Sequence, residues 1–529
     1  WQGLTVEGEL DLNGQRMECS GLFTNTGTTN YGGAGSMLIA SRFNIDGTSD
    51  EEAGATLIVA GSSADDVMDF SDDTFVGDAT TIIFYNNGTT RIDLDGSAYY
   101  LGNIIAGSPI RSQHATDNKC GSLIIPTGGS FNADDDIITV AGDFNIAGGL
   151  IGKSAAVFDG SQEADFGDPS EFELTSTMTI EAWVKPDSNS GLRGIVGKIL
   201  FGSAGNKEWG LSSEDSRWFF KCGNASSNGT AKSSSTFSTG KWYHLAATKD
   251  SSGVLRLYVN GKQDQLSVPT VTGDCNPTYN FIMGRRASNA DFFFDGTLGL
   301  VRIFNTERTV TQIRTDMFND FSNMDSTTGL VACYQFDTGT GTTIYDSTTN
   351  DLDSSSSDAT WAGVGTFDYG STSTLNLTGT GEFNIGTSGL NVYNLTCAAS
   401  TKTTTIIPIG EKMISIYGEL VVGGGTLTDS GSSCNLKFQS AATVSDSSGG
   451  TPDLSNLYIT YWQSTAVVPA MKNQYFIGSR DSTLGGNMET LAYANPGGGR
   501  TLSLAGYTLT CNNLRMNSEC YLEMGDGTI

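Results

Sequence analysis

The chain has 529 residues, 67 of them glycine and 10 proline, with a formal net charge of -29. That length allows about three to four domains of ~150 residues each, and the glycine-rich, charge-poor makeup is that of a turn-rich all-β protein rather than a helical one. No apolar run approaches the roughly 18 to 20 residues of a spanning helix, and the acidic field repels phosphate backbones and anionic bilayers, so neither nucleic acid nor membrane insertion is expected.

From the N-terminus a short pattern returns. Val6-Glu7-Gly8-Glu9-Leu10-Asp11-Leu12-Asn13-Gly14 resembles Val140-Ala141-Gly142-Asp143-Phe144-Asn145-Ile146-Ala147-Gly148. Both resemble Gly379-Thr380-Gly381-Glu382-Phe383-Asn384-Ile385-Gly386 and Ile416-Tyr417-Gly418-Glu419-Leu420-Val421-Val422-Gly423. The shared form is a Gly, an acidic residue, then apolar-x-apolar before another turn. Period-2 alternation makes each copy a half-buried strand, and the glycines let the chain turn sharply. Such units cannot bury their own faces alone and must stack on neighbours, which is the logic of a β-solenoid. The first region, 1–150, is therefore expected as a Gly-rich β-repeat region. Two separate β-sandwiches flanking a central one are the competing arrangement.

The middle of the chain reads differently. Phe158-Asp159-Gly160 opens a unit, and Ala164-Asp165-Phe166-Gly167-Asp168-Pro169-Ser170 follows. Thr179-Ile180-Glu181-Ala182-Trp183-Val184-Lys185-Pro186 alternates as an antiparallel strand. Gly240-Lys241-Trp242-Tyr243-His244-Leu245-Ala246 and Leu257-Tyr258-Val259-Asn260-Gly261-Lys262 continue it, with Asn260-Gly261 as a hairpin turn. Phe294-Asp295-Gly296-Thr297-Leu298-Gly299-Leu300-Val301-Arg302-Ile303-Phe304-Asn305 closes the unit, and Gln312-Ile313 follows it. In this order the segments resemble a laminin-G-like (concanavalin A-like lectin/glucanase) jelly-roll domain over roughly residues 154–337, within an expected domain of 151–337.

The resemblance implies a calcium ion held near the opening and closing motifs by hard oxygen ligands, with Asp159 and Asp295 first and Asp165 and Asp168 next. Asp159 and Asp295 precede Gly, so tight turns that hydrogen-bond their own backbone are the alternative. The resemblance also implies glycan or surface-protein recognition. The aromatic residues available for it are Trp209, Trp218, Phe219, Phe220, Phe292, Phe293 and Phe294, which equally suit a core. Arg285 and Arg286 form a basic island in an acidic domain, suited to a charged ligand or to a solvated turn. Trp183, Trp242 and His244 lie in framework strands and are expected to be structural.

Tyr334-Gln335-Phe336-Asp337-Thr338-Gly339-Thr340-Gly341 and the run Ser354–Ser357 lead through an expected connector, 338–364, into a second β-repeat region, 365–529. Thr374-Leu375-Asn376-Leu377, Val392-Tyr393-Asn394-Leu395-Thr396 and Gly424-Gly425-Thr426-Leu427 resemble repeats of bacterial surface proteins and phage fibres. Because Gly142-Asp143-Phe144 matches Gly381-Glu382-Phe383 so closely, the economical picture is a lectin-like knob inserted into a continuous β-shaft. The predicted class is thus all-β, a central jelly-roll sandwich flanked by β-solenoid-like or β-sandwich repeat regions, with one helix expected near 312–318.

Signals for an enzyme are sparse. The two histidines are His114 and His244, which leaves a Ser-His-Asp or Cys-His device dependent on one loop histidine. The sandwich lacks the closely spaced carboxylate pair of concanavalin A-like glycosidases, and Asp134-Asp135-Asp136 is the densest acidic run elsewhere. Nine cysteines include no C-x-x-C pair. Cys222 with Cys275 and Cys511 with Cys520 are the pairings to test first, and an oxidising location is favoured. The chain begins at Trp1 without an initiator Met and ends on Gly525-Asp526-Gly527-Thr528-Ile529, which suggests a processed chain or part of a longer one.

These features favour an extracellular, cell-surface or virion structural and adhesion protein, a homo-oligomer or an assembly of like subunits. A polysaccharide-degrading β-helical enzyme with an accessory lectin-like domain and a purely architectural subunit are the alternatives.

Overall fold

The structure is a computed structural model. It describes the strands and some turns between residues 3 and 146 and between 366 and 523, and nearly all of 154–363 except 202–206, 289 and 318–326. His114, Asp134, Asp135, Phe318 and Cys520 lie outside the described residues.

The two flanking regions form one parallel β-solenoid rather than a pair of separate sandwiches. Strands such as Leu22–Asn25 and Arg42–Ile45 stack in register, Phe23 on Phe43, and the coil repeats this from rung to rung. The apolar position of each rung falls on that of the next. Leu38, Leu57, Ile82, Ile104, Leu123, Phe144 and Phe383 are successive register partners, and all are buried. Alternation sends every second side chain into the coil, so this column is the sequence pattern made continuous in space.

The column crosses the insertion without a break. Strand Ser130–Asn132 pairs with Thr366–Asp368, Ile137–Val140 with Thr374–Leu377, and Phe144–Ile146 with Glu382–Gly386, all parallel. Phe131 stacks on Phe367 with ring centroids 6.1 Å apart and planes 6° from parallel.

Between these rungs stands an antiparallel two-sheet sandwich. One sheet runs through Leu255–Val259, Tyr243–Lys249, Met178–Pro186, Asp295–Phe304 and Ala156–Asp159. The other runs through Asn228–Lys232, Arg217–Gly223, Glu208–Glu214, Leu192–Lys198 and Ile282–Met283. Phe158, Phe172, Ile180, Val184, Leu211 and Phe220 fill the space between them. The hairpin at Asn260-Gly261 has φ of 50° and 69° at these residues, the left-handed pair that Asn-Gly tolerates.

Residues 338–364, expected as a connector, contribute to both sheets. Ser356–Ser357 pairs with Ala164–Asp165 and Thr360–Trp361 with Ala156–Asp159. Ser354 is buried and its hydroxyl accepts from Ile344 N–H at 2.8 Å, so the serine run is tied down rather than left as a spacer. The helix is Val310–Asp316, started by a capping box between Thr309 and Gln312.

The first sheet lies against the solenoid. Met37, Ile39, Ile58 and Ile105, on the outward face of the solenoid strands, form one buried cluster with Trp183, Trp242, Leu300 and Met317. Trp183 Nε1 donates to the Met317 carbonyl at 2.6 Å, satisfying the indole inside that interface. Trp183 and Trp242 are therefore structural as expected, but their work is to mount the sandwich and not to fill its centre. Each such buried side chain contributes on the order of 1.5–3 kcal/mol.

Candidate functional site

With the first sheet sealed against the solenoid, the second sheet carries the free face of the sandwich. Two loops fold over its strands at one end. The first follows Leu192–Lys198 and carries Phe201; the second, 285–293, precedes the strand Asp295–Phe304. They are joined through Ala287 N–H to the Ile199 carbonyl at 2.7 Å, and the second is tied to the strand Leu192–Lys198 by Gly194 N–H donating to the Phe292 carbonyl at 2.8 Å. A Cβ on Gly194 would lie 2.6 Å from the Arg285 carbonyl carbon, so the second loop can sit on this strand because residue 194 has no side chain.

Phe201 and Phe292 meet where the loops touch. Their rings are 5.3 Å apart at 79°, and both residues have φ of 52°, a left-handed backbone that bulky side chains avoid. Phe292 is 36% exposed. The Arg286 guanidinium lies over the Phe292 ring at 4.8 Å, and its Nη2 donates to Asp291 Oδ2 at 2.6 Å.

Glu208 holds the other side. Its Oε2 accepts the Leu200 and Phe201 backbone N–H groups at 2.9 and 2.8 Å, and Lys221 Nζ lies 3.1 Å from its Oε1. Lys221 in turn stands 5.4 Å from the centre of the Phe201 ring. The two cations that stand against the aromatic rings, Arg286 and Lys221, are each matched by a carboxylate, so the cluster offers ring faces and polar hydrogens. Such a surface suits the alternating C–H and hydroxyl faces of a neutral sugar.

The structure brings Arg286 and Phe292 together and keeps Arg285 apart. Arg285 makes a forked ion pair with Glu163, Nη2 to Oε1 at 2.8 Å. Trp209 and Trp218, candidates for stacking on a ligand, are corrected to core positions: their exposures are 0% and 1%, and neither ring has an open face. Alternation decides this, since both occupy inward positions of their strands. Phe201 went unrecognised because Ile199-Leu200-Phe201 reads as a buried apolar run; a following Gly202 was the one cue that the chain leaves the sheet there.

The four aspartates expected to hold calcium do not form one site. Asp159 and Asp295 are opposite each other on paired strands, and Asp159 Oδ1 accepts from the Ser161 backbone at 3.0 Å and hydroxyl at 2.7 Å. Asp165 accepts Gly167 N–H at 2.8 Å and both of its oxygens accept from Asn280. Asp168 is neutralised by the buried Lys198. Among the described residues no three His, Cys, Asp or Glu side chains gather in a metal-holding group. Asp159, Asp165 and Asp168 are thus committed to turns and an ion pair, and Asp295 faces Asp159 across the strand pair.

The other concentration of charge is closed to solvent. Glu181 accepts from Arg302 Nη2 at 2.6 Å, with His244 Nε2 3.9 Å away, and all three side chains are buried. Burial, then the Arg302 charge, holds His244 well below its usual 6.5, while burial raises Glu181 against the pull of Arg302 and Arg308. The network ties together the strands Met178–Pro186, Tyr243–Lys249 and Asp295–Phe304.

The geometry defines a class: an antiparallel lectin-type sandwich mounted on a parallel β-solenoid. The particular family follows from comparison, in which residues 158–314 match the laminin G model of the concanavalin A-like lectin/glucanases superfamily. The chain thus contains a laminin-G-like domain. Among solved structures it is similar to a candidate carbohydrate-binding protein of Bacteroides ovatus, at 22% identity and TM-score 0.30, covering 40% of this chain and 58% of that one. It is also similar to a pentraxin of Limulus polyphemus, at 16% identity and TM-score 0.24, covering 31% of this chain and 81% of that one. A third is domain 4 of an extracellular arabinanase of Geobacillus stearothermophilus in complex with arabinotriose, at 22% identity and TM-score 0.25, covering 31% and 76%. At these TM-scores the likenesses carry no weight for function. No curated protein matches the chain.

Proposed function

We propose that this chain is a structural and adhesion subunit of an extracellular, cell-surface or virion assembly, with the solenoid as shaft and the sandwich as a non-enzymatic glycan-binding knob. The observation that carries the reading is the Phe201–Phe292 pair, two aromatic residues in left-handed backbone at the free end of the sandwich, with Arg286 stacked on one ring. A left-handed conformation costs an L-residue roughly 1–2 kcal/mol, and strain of this kind concentrates at ligand-binding positions. The match of residues 158–314 to a lectin-type family supports the same reading. Repetition of like subunits would multiply weak single-site binding.

The test is retention of the full chain on an array of neutral oligosaccharides, with Phe292→Ala alongside. Retention of the parent chain and its loss, by about tenfold or more, in the variant is expected. Equal binding of both would move the ligand site elsewhere, and cleavage of the bound polysaccharide would replace adhesion by catalysis.

A further inference from the structure

Lys198 ends the strand Leu192–Lys198, and its side chain is completely buried although it carries an amine. A buried amine needs partners. Nζ meets groups from two different loops: it donates to the Asp168 carboxylate and, at 3.2 Å, to the Asn276 side-chain oxygen Oδ1. That oxygen also accepts from Trp209 Nε1 at 3.4 Å. An amine, a carboxylate and a side-chain amide whose carbonyl is held by an indole N–H thus converge in one place.

Each member is fixed from behind. Trp209 is the register partner of Lys198 and is buried against Phe281, with ring centroids 5.8 Å apart. Asn276 N–H donates to Asp274 Oδ1 at 2.8 Å, and Pro277 follows it. The loop of Asp168 is laced to the segment after Asn276 by Phe166 N–H to the Phe281 carbonyl at 3.0 Å and Phe281 N–H to the Gly167 carbonyl at 2.8 Å. Asp168 alone neutralises the amine; Asn276 adds an amide carbon that a positioned amine can attack.

We propose that Lys198 and Asn276 form an intramolecular isopeptide bond, with Asp168 as proton carrier. The Lys198 ammonium passes a proton to Asp168 along their hydrogen bond, and the free amine attacks Cγ of Asn276. That carbon lies one C=O bond, about 1.2 Å, beyond the oxygen Nζ already meets, so a small side-chain shift brings the pair into attacking distance. Charge building on Oδ1 is met by the Trp209 N–H. Asp168 gives its proton to Nδ2, the bond from Cγ to Nδ2 breaks, and ammonia leaves. The surplus proton on the former amine returns to Asp168 and departs with the ammonia as ammonium. One C–N bond forms and one breaks, and nothing is oxidised or reduced. The product ties the strand that leads to Phe201 to the loop of Asn276 by a covalent link that reductant cannot open.

The experiment is mass spectrometry of the full chain in denaturant, followed by tryptic mapping. The expected mass is that of the sequence less one ammonia, with no cleavage after Lys198 and its peptide joined to the one holding Asn276. The full sequence mass, with Lys198 cleaved normally, overturns the proposal. Loss of water with a link to Asp168 overturns the assignment to Asn276. Asp168 is partly exposed, so Asp168→Asn is expected to keep the circular dichroism of the parent chain while leaving Lys198 and Asn276 unlinked. A link that persists in this variant removes Asp168 as proton carrier, and should the variant not fold, the mass of the parent chain decides alone.

Discussion

Phe144 and Phe383 are register partners in adjacent parallel strands, their rings 5.4 Å apart and edge to face, although the whole sandwich lies between them in sequence. The insertion therefore leaves the solenoid ladder intact, and the seam is a packed aromatic step in which Phe131 stacks on Phe367 and Phe144 meets Phe367 edge to face. Phe383→Ala should cost about 3–5 kcal/mol, read as a drop in the denaturant midpoint of the full chain. A change below about 1 kcal/mol would mean that the rungs on either side do not stack as described.

Mounting of the sandwich rests on a different contact. Trp183→Ala removes one of the two tryptophans of the cluster with Met37, Ile39 and Met317 and its hydrogen bond to the Met317 carbonyl. The expected outcome is a loss of about 3–5 kcal/mol and easier proteolytic release of the sandwich from the solenoid. Unchanged digestion would show that the interface contributes little.

Glu208 is predicted to act by positioning Phe201. Glu208→Gln weakens the charge-assisted bonds to the Leu200 and Phe201 N–H groups and the ion pair with Lys221. Oligosaccharide affinity should fall several-fold. Gly194→Ala should also lower affinity, by lifting the 285–293 loop that carries Phe292, and both losses are read by titration calorimetry.

His244 should make the fold acid-sensitive. Its folded-state pKa lies below 6.5, so the native ring stays neutral while the unfolded chain takes up a proton. The stability is fully present above pH ~6.5 and is lost as pH falls below it, at no more than about 1.4 kcal/mol per pH unit for one proton. Glu181, raised by burial, acts in the opposite sense at lower pH. The difference between the parent chain and His244→Asn across pH 7.5 to 5 isolates the histidine contribution, and parallel curves would refute it.

Chelation should change little. Asp165 and Asp168 are committed to Asn280, Gly167 and Lys198, so addition of EDTA is expected to leave both the melting temperature and oligosaccharide retention in place. A calcium-dependent rise in melting temperature would return the ion to the edge where Asp159 faces Asp295.

Much of the architecture was legible in local sequence because period and turn chemistry are local properties. Ile180, Ala182 and Val184 alternate within nine residues, Asn260-Gly261 encodes its own hairpin, and the Gly-acidic-Phe motif repeats on either side of the insert. These patterns determined an all-β chain and a repeating shaft, while the lectin-type sandwich was legible through the resemblance of its motifs, in order, to a known family. The site was legible only in part: Arg286 and Phe292 are near in sequence, whereas Phe201, Glu208 and Lys221 join them through strand pairing. The parity of their strands buried Trp209 and Trp218, whereas Phe292 stays open because it sits on the 285–293 loop. Which face of the sandwich is free was decided by docking against Met37 and Ile105. Burial of a side chain depends on what packs over it from a distant part of the chain, and only the tertiary structure brings that neighbour into place.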